Sequence, residues 1–230
     1  MKKRALTILS VLGVSACLLA GSHDARADDL TLSERARLSR GATVARPVTI
    51  EEGEHRLVGG ITYTVVSASA AELTALFDDE AAYRELLPRT KGAKLTRNGA
   101  VRHIEMRTGN AVVEGVYTLY LQQSGPHELR FWLDPRAPHD IDDAYGYFQF
   151  EELPRGADGR PRTLLTYAIA IDIGPGIVRD LFEERVRAAS LALPQALVAR
   201  ITREHNGGVD EPSVVAQAAP QGAQRGSRAR

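Results

Sequence analysis

The chain has 230 residues, of which 43% are hydrophobic and 25% charged, a composition typical of one globular domain with or without tails. Its 29 basic and 29 acidic side chains leave a formal net charge of zero, which argues against a protein that binds nucleic acid by neutralising phosphates. The single cysteine excludes an intrachain disulfide framework, and the sequence has no CxxC or HExxH motif. A structural zinc site is therefore not expected, and we assign no metal ligand and no cofactor.

The first 27 residues have the pattern of an export signal. Three basic residues at 2–4 precede an apolar run over 5–21, and Ala25-Arg26-Ala27 forms an A-x-A cleavage site. We predict a signal peptide over 1–27 and an exported protein, periplasmic or secreted. The alternative is a lipoprotein anchored through Cys17, because residues 14–17 resemble a lipobox. The apolar run continues after that cysteine, where lipoproteins usually become polar, so cleavage after Ala27 is favoured.

The aromatic residues indicate where the folded domain lies. All 7 Tyr, all 5 Phe and the single Trp occur between Tyr63 and Phe182, and buried aromatic side chains dominate the energetics of a core. We predict a domain over 46–205, preceded by a polar leader over 28–45 with one helical turn. Residues 206–230 are of low complexity and contain no aromatic residue, so we predict a disordered tail.

The first predicted elements are one strand and two short helices. Residues 57–66 alternate between two faces and are rich in β-branched residues, as in a strand. Ser69 and Glu72 form a capping box that opens a short helix. Asp78 and Asp79 can cap a second short helix over 80–87, which Pro88 ends.

The remainder of the domain is predicted to contain six strands and one long helix. Turn signals, among them Asn98-Gly99, divide residues 91–173 into strands of alternating polarity. A Gly-Pro-Gly break at 174–176 precedes an amphipathic helix over about 177–203, in which Pro194 should produce a kink or a division. Strands grouped apart from helices indicate an α+β fold. We expect a curled, seven-stranded antiparallel sheet with the long C-terminal helix over its concave face.

This arrangement resembles the helix-grip fold of the START-like (SRPBCC) superfamily, which includes polyketide cyclase/dehydrase-like and coenzyme Q-binding proteins. The resemblance covers residues 46–205 and is carried by Val65-Val66-Ser67-Ala68-Ser69, Leu76-Phe77-Asp78-Asp79, Tyr83 and Leu86-Leu87-Pro88. It implies a deep apolar cavity between sheet and helix that holds a lipid-like or other hydrophobic ligand. Because the superfamily contains binding proteins and enzymes alike, the resemblance does not choose between them.

The candidate ligand-binding residues are those that strand alternation and helix spacing send toward the same space. On the sheet and the helix they are Tyr117, Leu119, Phe131, Leu133, Phe148, Phe150, Tyr167, Ile169, Phe182 and Val186. Nearly all are apolar, and only the two tyrosines could act as acids. No catalytic residue is assigned.

An unusual segment, residues 134–143, contains four acids and one histidine, His139. Three interpretations are open: a solvated connection whose aspartates cap turns, a polar rim of the cavity, or a metal or acid–base site. An EF-hand loop is excluded, since its glycine and its glutamate at position twelve are missing.

The predicted function is the binding or transport of a lipid, isoprenoid or quinone-like molecule, with transient membrane contact and no nucleic acid. The alternatives are a cyclase or dehydratase acting on polyketide-like substrates, and an interaction module with a filled core. An enzyme would need titratable groups that converge in the cavity, whereas the predicted inward faces are almost wholly apolar.

Overall fold

The computed structural model of the chain describes residues 29–53, 55–87, 89–109 and 114–207. The predicted signal peptide over 1–27 and most of the predicted tail over 206–230 lie outside these ranges. Within the ranges, the elements in chain order are α1 (Leu32–Ser39), β1 (Val44–Glu52), β2 (His55–Val66), α2 (Ala70–Leu76), α3 (Glu80–Leu86), β3 (Thr90–Asn98), β4 (Val101–Gly109), β5 (Glu114–Gln123), β6 (Glu128–Leu133), β7 (Asp143–Leu153), β8 (Arg162–Asp172), α4 (Ile177–Leu191) and α5 (Leu193–His205).

All strands join one open antiparallel sheet in the order β1-β2-β8-β7-β6-β5-β4-β3. The predicted α+β architecture, with a long antiparallel sheet and C-terminal helices, is confirmed. The predicted strand number of seven is wrong, because the sheet has 8 strands. The additional strand is β1, which forms a hairpin with β2 and contains Pro47. Proline weakens a strand signal in sequence, yet it is tolerated on an edge strand such as β1, which pairs on one side only.

Helix α1 and the start of β1 occupy the segment predicted as a polar leader over 28–45. Thr31 and Glu34 form a capping box at the start of α1. Leu30 and Leu38 are buried in a small core with Tyr63 on the outer face of the sheet. The Arg46 guanidinium lies 2.6 Å from the Glu34 carboxylate, and hydrogen bonds from Arg46 and Thr31 lower the pKa of Glu34 to about 2. The packed unit therefore begins before residue 46.

The main core lies on the other side of the sheet, between the sheet and helices α2, α3 and α5. We call this side the inner face. Its helices begin where the sequence places them, since Ser69 accepts a hydrogen bond from the Glu72 N–H and Asp79 accepts one from the Ala81 N–H.

The single long C-terminal helix expected from the sequence is two helices, divided at Ala192. Pro194 lies in the first turn of α5, where its missing N–H costs no hydrogen bond. Helix α5 buries Leu193, Leu197 and Ile201 in the main core. Helix α4 packs mainly against β2 and touches β1. The division therefore gives the two helices different roles: α5 completes the core, and α4 packs against β2 and β1.

Glycine permits a close approach between β1 and β2. Gly60 has φ +148°, and a Cβ built on it would lie 2.2 Å from the Arg46 carbonyl oxygen. Any side chain there would collide with the backbone of the neighbouring strand, so this point of β2 requires glycine.

Candidate functional site

The register of the sheet brings the predicted sheet residues to the inner face. Leu119 pairs with Leu133 between β5 and β6, and Phe148 pairs with Tyr167 between β7 and β8. Residues directly opposite each other in an antiparallel pair share a face. The same alternation places the other four on the inner face, namely Tyr117, Phe131, Phe150 and Ile169.

Aromatic rings form the centre of this face. The Phe148 ring centroid lies 4.5 Å from that of Phe77 on the turn after α2, and 4.7 Å from that of Tyr167. The Phe131 ring is 5.6 Å from Phe148 and 6.2 Å from Tyr167. Offset and tilted contacts at these separations add to the free energy gained by burying the rings. These rings therefore form a packed aromatic cluster at the centre of the inner face.

Beside this aromatic cluster, some apolar side chains of the inner face are only partly covered. Tyr117, Leu119 and Ile169 contact the main core but are only partly buried, although all three point to the inner face. We call the surface formed by these three side chains and the rings of Phe131 and Tyr167 the inner cleft. An apolar side chain that retains exposed surface beside a core leaves room for another apolar group.

Gly146 determines where the Phe131 ring lies. It faces Phe131 on β6 and Ile169 on β8 in the register. A Cβ built on Gly146 would lie 2.4 Å from the Phe131 Cζ atom and 2.1 Å from the Ala168 carbonyl oxygen. The absence of a side chain on Gly146 thus allows Phe131 to lie against β7. Sequence reasoning missed this residue, because a glycine in a strand pattern does not reveal which ring covers it.

The two predicted helix residues are placed differently from the sheet residues. Phe182 and Val186 on α4 are partly buried and do not belong to the main core cluster. The Arg185 guanidinium lies 5.7 Å from the centroid of the Phe182 ring, a cation–π distance. The structure therefore brings the eight sheet residues to one face. Leu133 and the two α4 residues lie outside the main core cluster to which the other seven belong or pack.

The two tyrosine hydroxyls of the inner cleft are the polar groups of this site. Burial raises the pKa of Tyr117 to about 12. Burial also raises the pKa of Tyr167, and an electrostatic contribution from Tyr117 adds to that shift. Both side chains are therefore neutral at physiological pH. Neither hydroxyl forms a hydrogen bond with any residue of the described ranges.

The outer face carries two shallow pockets. A pocket of about 600 Å³ is lined by Asn98, Val101, His103, Tyr120, Trp132, Pro135 and Arg136. There the Tyr120 ring stacks on Trp132 at 5.5 Å, and Arg136 donates a hydrogen bond of 2.7 Å to the Tyr120 hydroxyl. A second pocket, of about 460 Å³, is lined by Glu105, Arg107, Val116, Thr118, Pro138, His139 and Asp140. Both pockets lie away from the inner cleft.

The acidic segment 134–143 is held by a turn-capping contact of Asp134 and by a contact of Asp140 to strand β5. Asp134 accepts a hydrogen bond from the Arg136 N–H at 2.9 Å, and Asp140 accepts one from the Val116 N–H at 2.8 Å. The imidazole of His139 lies 2.8 Å from the Ile141 carbonyl oxygen. These contacts favour the solvated connection among the three interpretations. Among the residues with described positions, no three His, Cys, Asp or Glu side chains are grouped so as to hold a metal ion.

Known proteins resemble this chain in structure. It matches no family model and no curated protein sequence. A STAR-related lipid transfer protein from Xanthomonas axonopodis superimposes with a TM-score of 0.53 at 17% identity, covering 70% of this chain and 93% of the other. The Zhui aromatase/cyclase from a Streptomyces species gives a TM-score of 0.51 at 15% identity, covering 72% of this chain and 99% of the other.

A Thermus thermophilus protein gives a TM-score of 0.50 at 16% identity, covering 63% of this chain and 97% of the other. The chain thus has the START-like fold that its sequence resembles. Identities this low establish the fold and leave the chemistry open. No helix within the described ranges is long and apolar enough to cross a membrane.

Proposed function

We propose that this protein is an exported START-like domain that binds or carries a hydrophobic small molecule, such as a lipid, an isoprenoid or a quinone-like compound, in the inner cleft. The observation that carries the proposal is the partial exposure of Tyr117, Leu119 and Ile169 beside an otherwise buried core. Aromatic and aliphatic walls with few polar groups are typical of small-molecule sites. Transient contact with a membrane would deliver such a ligand.

The second candidate is a cyclase or dehydratase, favoured by the similarity to an aromatase/cyclase fold. Acid–base catalysis works best with a group that titrates near the operating pH. Burial moves the pKa of the cleft tyrosines Tyr117 and Tyr167 upward, away from neutrality. The binding function therefore has the stronger physical support.

The proposal is tested by recovering the ligand. Native protein from the periplasmic fraction is extracted with organic solvent, and the extract is analysed by mass spectrometry. We expect an apolar compound at up to one equivalent per chain. In the same experiment, Ile169→Trp fills the inner cleft, and Val48→Trp enlarges an exposed residue of the edge strand β1 as a control.

The two variants separate a hollow cleft from a filled core. If the cleft is hollow, Ile169→Trp abolishes ligand recovery at little cost in thermal stability, whereas Val48→Trp retains the ligand. In a filled core the same tryptophan overpacks its neighbours and destabilises the fold by about 1–3 kcal/mol or more. Strong destabilisation, with no ligand recovered from the unmodified protein, would overturn the proposal in favour of a ligand-free interaction module.

A further inference from the structure

We propose that the outer face of the sheet carries a second binding site, a groove that takes a short, extended oligosaccharide on an aromatic platform formed by Tyr120 and Trp132. This site lies on the face opposite the inner cleft and does not depend on the ligand proposed there. It also gives a role to the acidic segment 134–143, which supplies one wall of the groove.

The two outer pockets adjoin along strands β4 and β5. The first includes the cross-strand pair His103–Tyr120, and the second includes the next pair on the same face, Glu105–Thr118. Residues two positions apart in a strand share a face, so the two pockets are neighbouring parts of one surface, which we call the outer groove. On β4 its lining extends over residues 101–107, a length of about 20 Å at about 3.3 Å per residue.

Residues 135–140 form the wall of the outer groove beside β5. The Asp134 N–H donates a hydrogen bond of 2.8 Å to the Thr118 carbonyl oxygen, and the Asp140 N–H donates one of 2.8 Å to the Val116 carbonyl oxygen. The Val116 N–H donates in turn to the Asp140 carboxylate at 2.8 Å. The wall is thus fixed to β5 at both ends, so little conformational entropy is lost when a ligand lies against it.

Three rings lie side by side in one row across β4, β5 and β6. His103 pairs with Tyr120, and Tyr120 pairs with Trp132. The ring centroids are 4.5 Å and 5.5 Å apart, and the planes of Tyr120 and Trp132 differ by only 28°. All three side chains keep exposed surface, and Arg136 holds the Tyr120 hydroxyl by a hydrogen bond of 2.7 Å. Tyr120 and Trp132 therefore form a flat, partly exposed aromatic platform that costs little entropy to use.

A flat aromatic platform bordered by polar groups matches the chemistry of a sugar. A pyranose ring has a face of C–H groups that can pack on an aromatic ring, and a rim of hydroxyl groups that donate and accept hydrogen bonds. The outer groove offers both partners to such a rim, since Arg107 and Arg136 can donate and Glu105 and Asp140 can accept. Because these two arginines and two acids balance, a neutral ligand fits the groove electrostatically.

The same geometry disfavours a peptide and a nucleic acid. Strand β4 pairs with β3 and β5, and β5 pairs with β4 and β6. Their backbone groups are already engaged, so an extended peptide cannot add to them as a further strand. A polyanion would meet Glu105 and Asp140 as well as the two arginines, which opposes the phosphate neutralisation on which nucleic-acid binding depends.

The test uses the fluorescence of Trp132, the single tryptophan of the chain. Cellotetraose and N-acetylchitotetraose are extended, β-linked probes, cellobiose is a short one, and maltotetraose is curved by its α-linkages. Each is titrated into the full chain, and calorimetry gives the affinity independently of the fluorescence. Thermal unfolding verifies that each variant is folded.

The variants are Trp132→Ala, Arg136→Ala and Arg107→Ala, with Arg160→Ala as the matched control. Arg160 resembles Arg136 because each is an exposed arginine 3.7 Å from the aspartate two positions before it. Arg160 lies in the loop before β8, away from the outer groove.

We expect at least one extended tetrasaccharide to bind, to change the Trp132 fluorescence and to bind more tightly than maltotetraose. Trp132→Ala lowers its affinity by about 10-fold or more through the loss of the platform, and Arg136→Ala lowers it by about 3- to 10-fold. Arg107→Ala weakens the tetrasaccharide but not cellobiose, because the disaccharide occupies only the platform. Arg160→Ala leaves every affinity as it was.

The inference is wrong if neither extended tetrasaccharide binds up to about 10 mM, or if binding survives in both Trp132→Ala and Arg136→Ala. An equal loss in Arg136→Ala and Arg160→Ala would also contradict it, because the effect would then be one of charge alone. Tighter binding of a thymidine oligonucleotide than of either tetrasaccharide would replace the sugar by stacked bases. Since the two sites lie on opposite faces, each of these results leaves the proposed function of the inner cleft unaffected.

Discussion

Replacing Gly146 by alanine tests the packing on which the inner cleft depends. The new Cβ atom would lie 2.1 Å from the Ala168 carbonyl oxygen and 2.4 Å from the Phe131 Cζ atom. Ordinary van der Waals contacts begin at about 3.5 Å, so the Ala168 carbonyl and the Phe131 ring would have to move away by about 1.4 and about 1.1 Å. The Phe131 ring is itself packed against Phe148 and Tyr167, which limits how far it can move.

The expected cost follows from that crowding. Overpacking of a well-packed core destabilises by about 1–3 kcal/mol. For a domain of this size, each kcal/mol lowers the midpoint of thermal unfolding by about 2–4 °C. We therefore expect Gly146→Ala to unfold about 2–12 °C below the unmodified protein, measured by circular dichroism and checked by urea denaturation.

Gly115→Ala provides the matched control on β5. The nearest atom to its new Cβ would be the Thr108 Oγ1 at 3.7 Å, an ordinary contact. Where a strand has room, alanine in place of glycine stabilises by about 0.4–1 kcal/mol, because the unfolded chain loses conformational freedom. If Gly146→Ala proves as stable as Gly115→Ala, the Phe131 ring does not lie against β7 and the reasoning is refuted.

Two further predictions concern charge. Burial raises the pKa values of Tyr83, Tyr117 and Tyr167, so above pH of about 10 the unfolded chain loses protons that the folded chain keeps. The stability contributed by these groups is therefore present below that pH and falls as the pH rises. Alkaline denaturation, combined with an ultraviolet titration of tyrosine, measures this fall. A free energy of unfolding that does not change above pH of about 10 would contradict the upward pKa shifts. The buried Asp172 carboxylate accepts a hydrogen bond from Arg179 at 3.1 Å, so Asp172→Ala should lower the free energy of unfolding by about 2–5 kcal/mol and Asp172→Asn by less. Equal losses for the two variants in urea denaturation would contradict this expectation, because they would assign the whole contribution to the carboxylate charge.

Patterns of short range allowed much of the fold to be predicted. The capping box of Ser69 and Glu72 starts α2 because both hydrogen bonds are made within three residues. Pro194 separates α4 from α5 because proline is favoured only in the first turn of a helix. Alternation assigned Leu119 and Ile169 to the inner face, since successive side chains in a strand point to opposite sides. Strand β1 escaped prediction because Pro47 weakens its local signal, and pairing with β2 compensates for that weakness.

The sequence by itself determined which strand residues face inward, where helices α2 and α3 begin and where the last helix divides, since each depends on neighbours a few positions away. Only the tertiary structure decided that Phe131 lies over Gly146 and that Tyr117, Leu119 and Ile169 stay partly exposed beside the main core. These features involve residues of several strands at once. Their geometry depends on the register and the close packing of the whole sheet, which no local pattern of residues records.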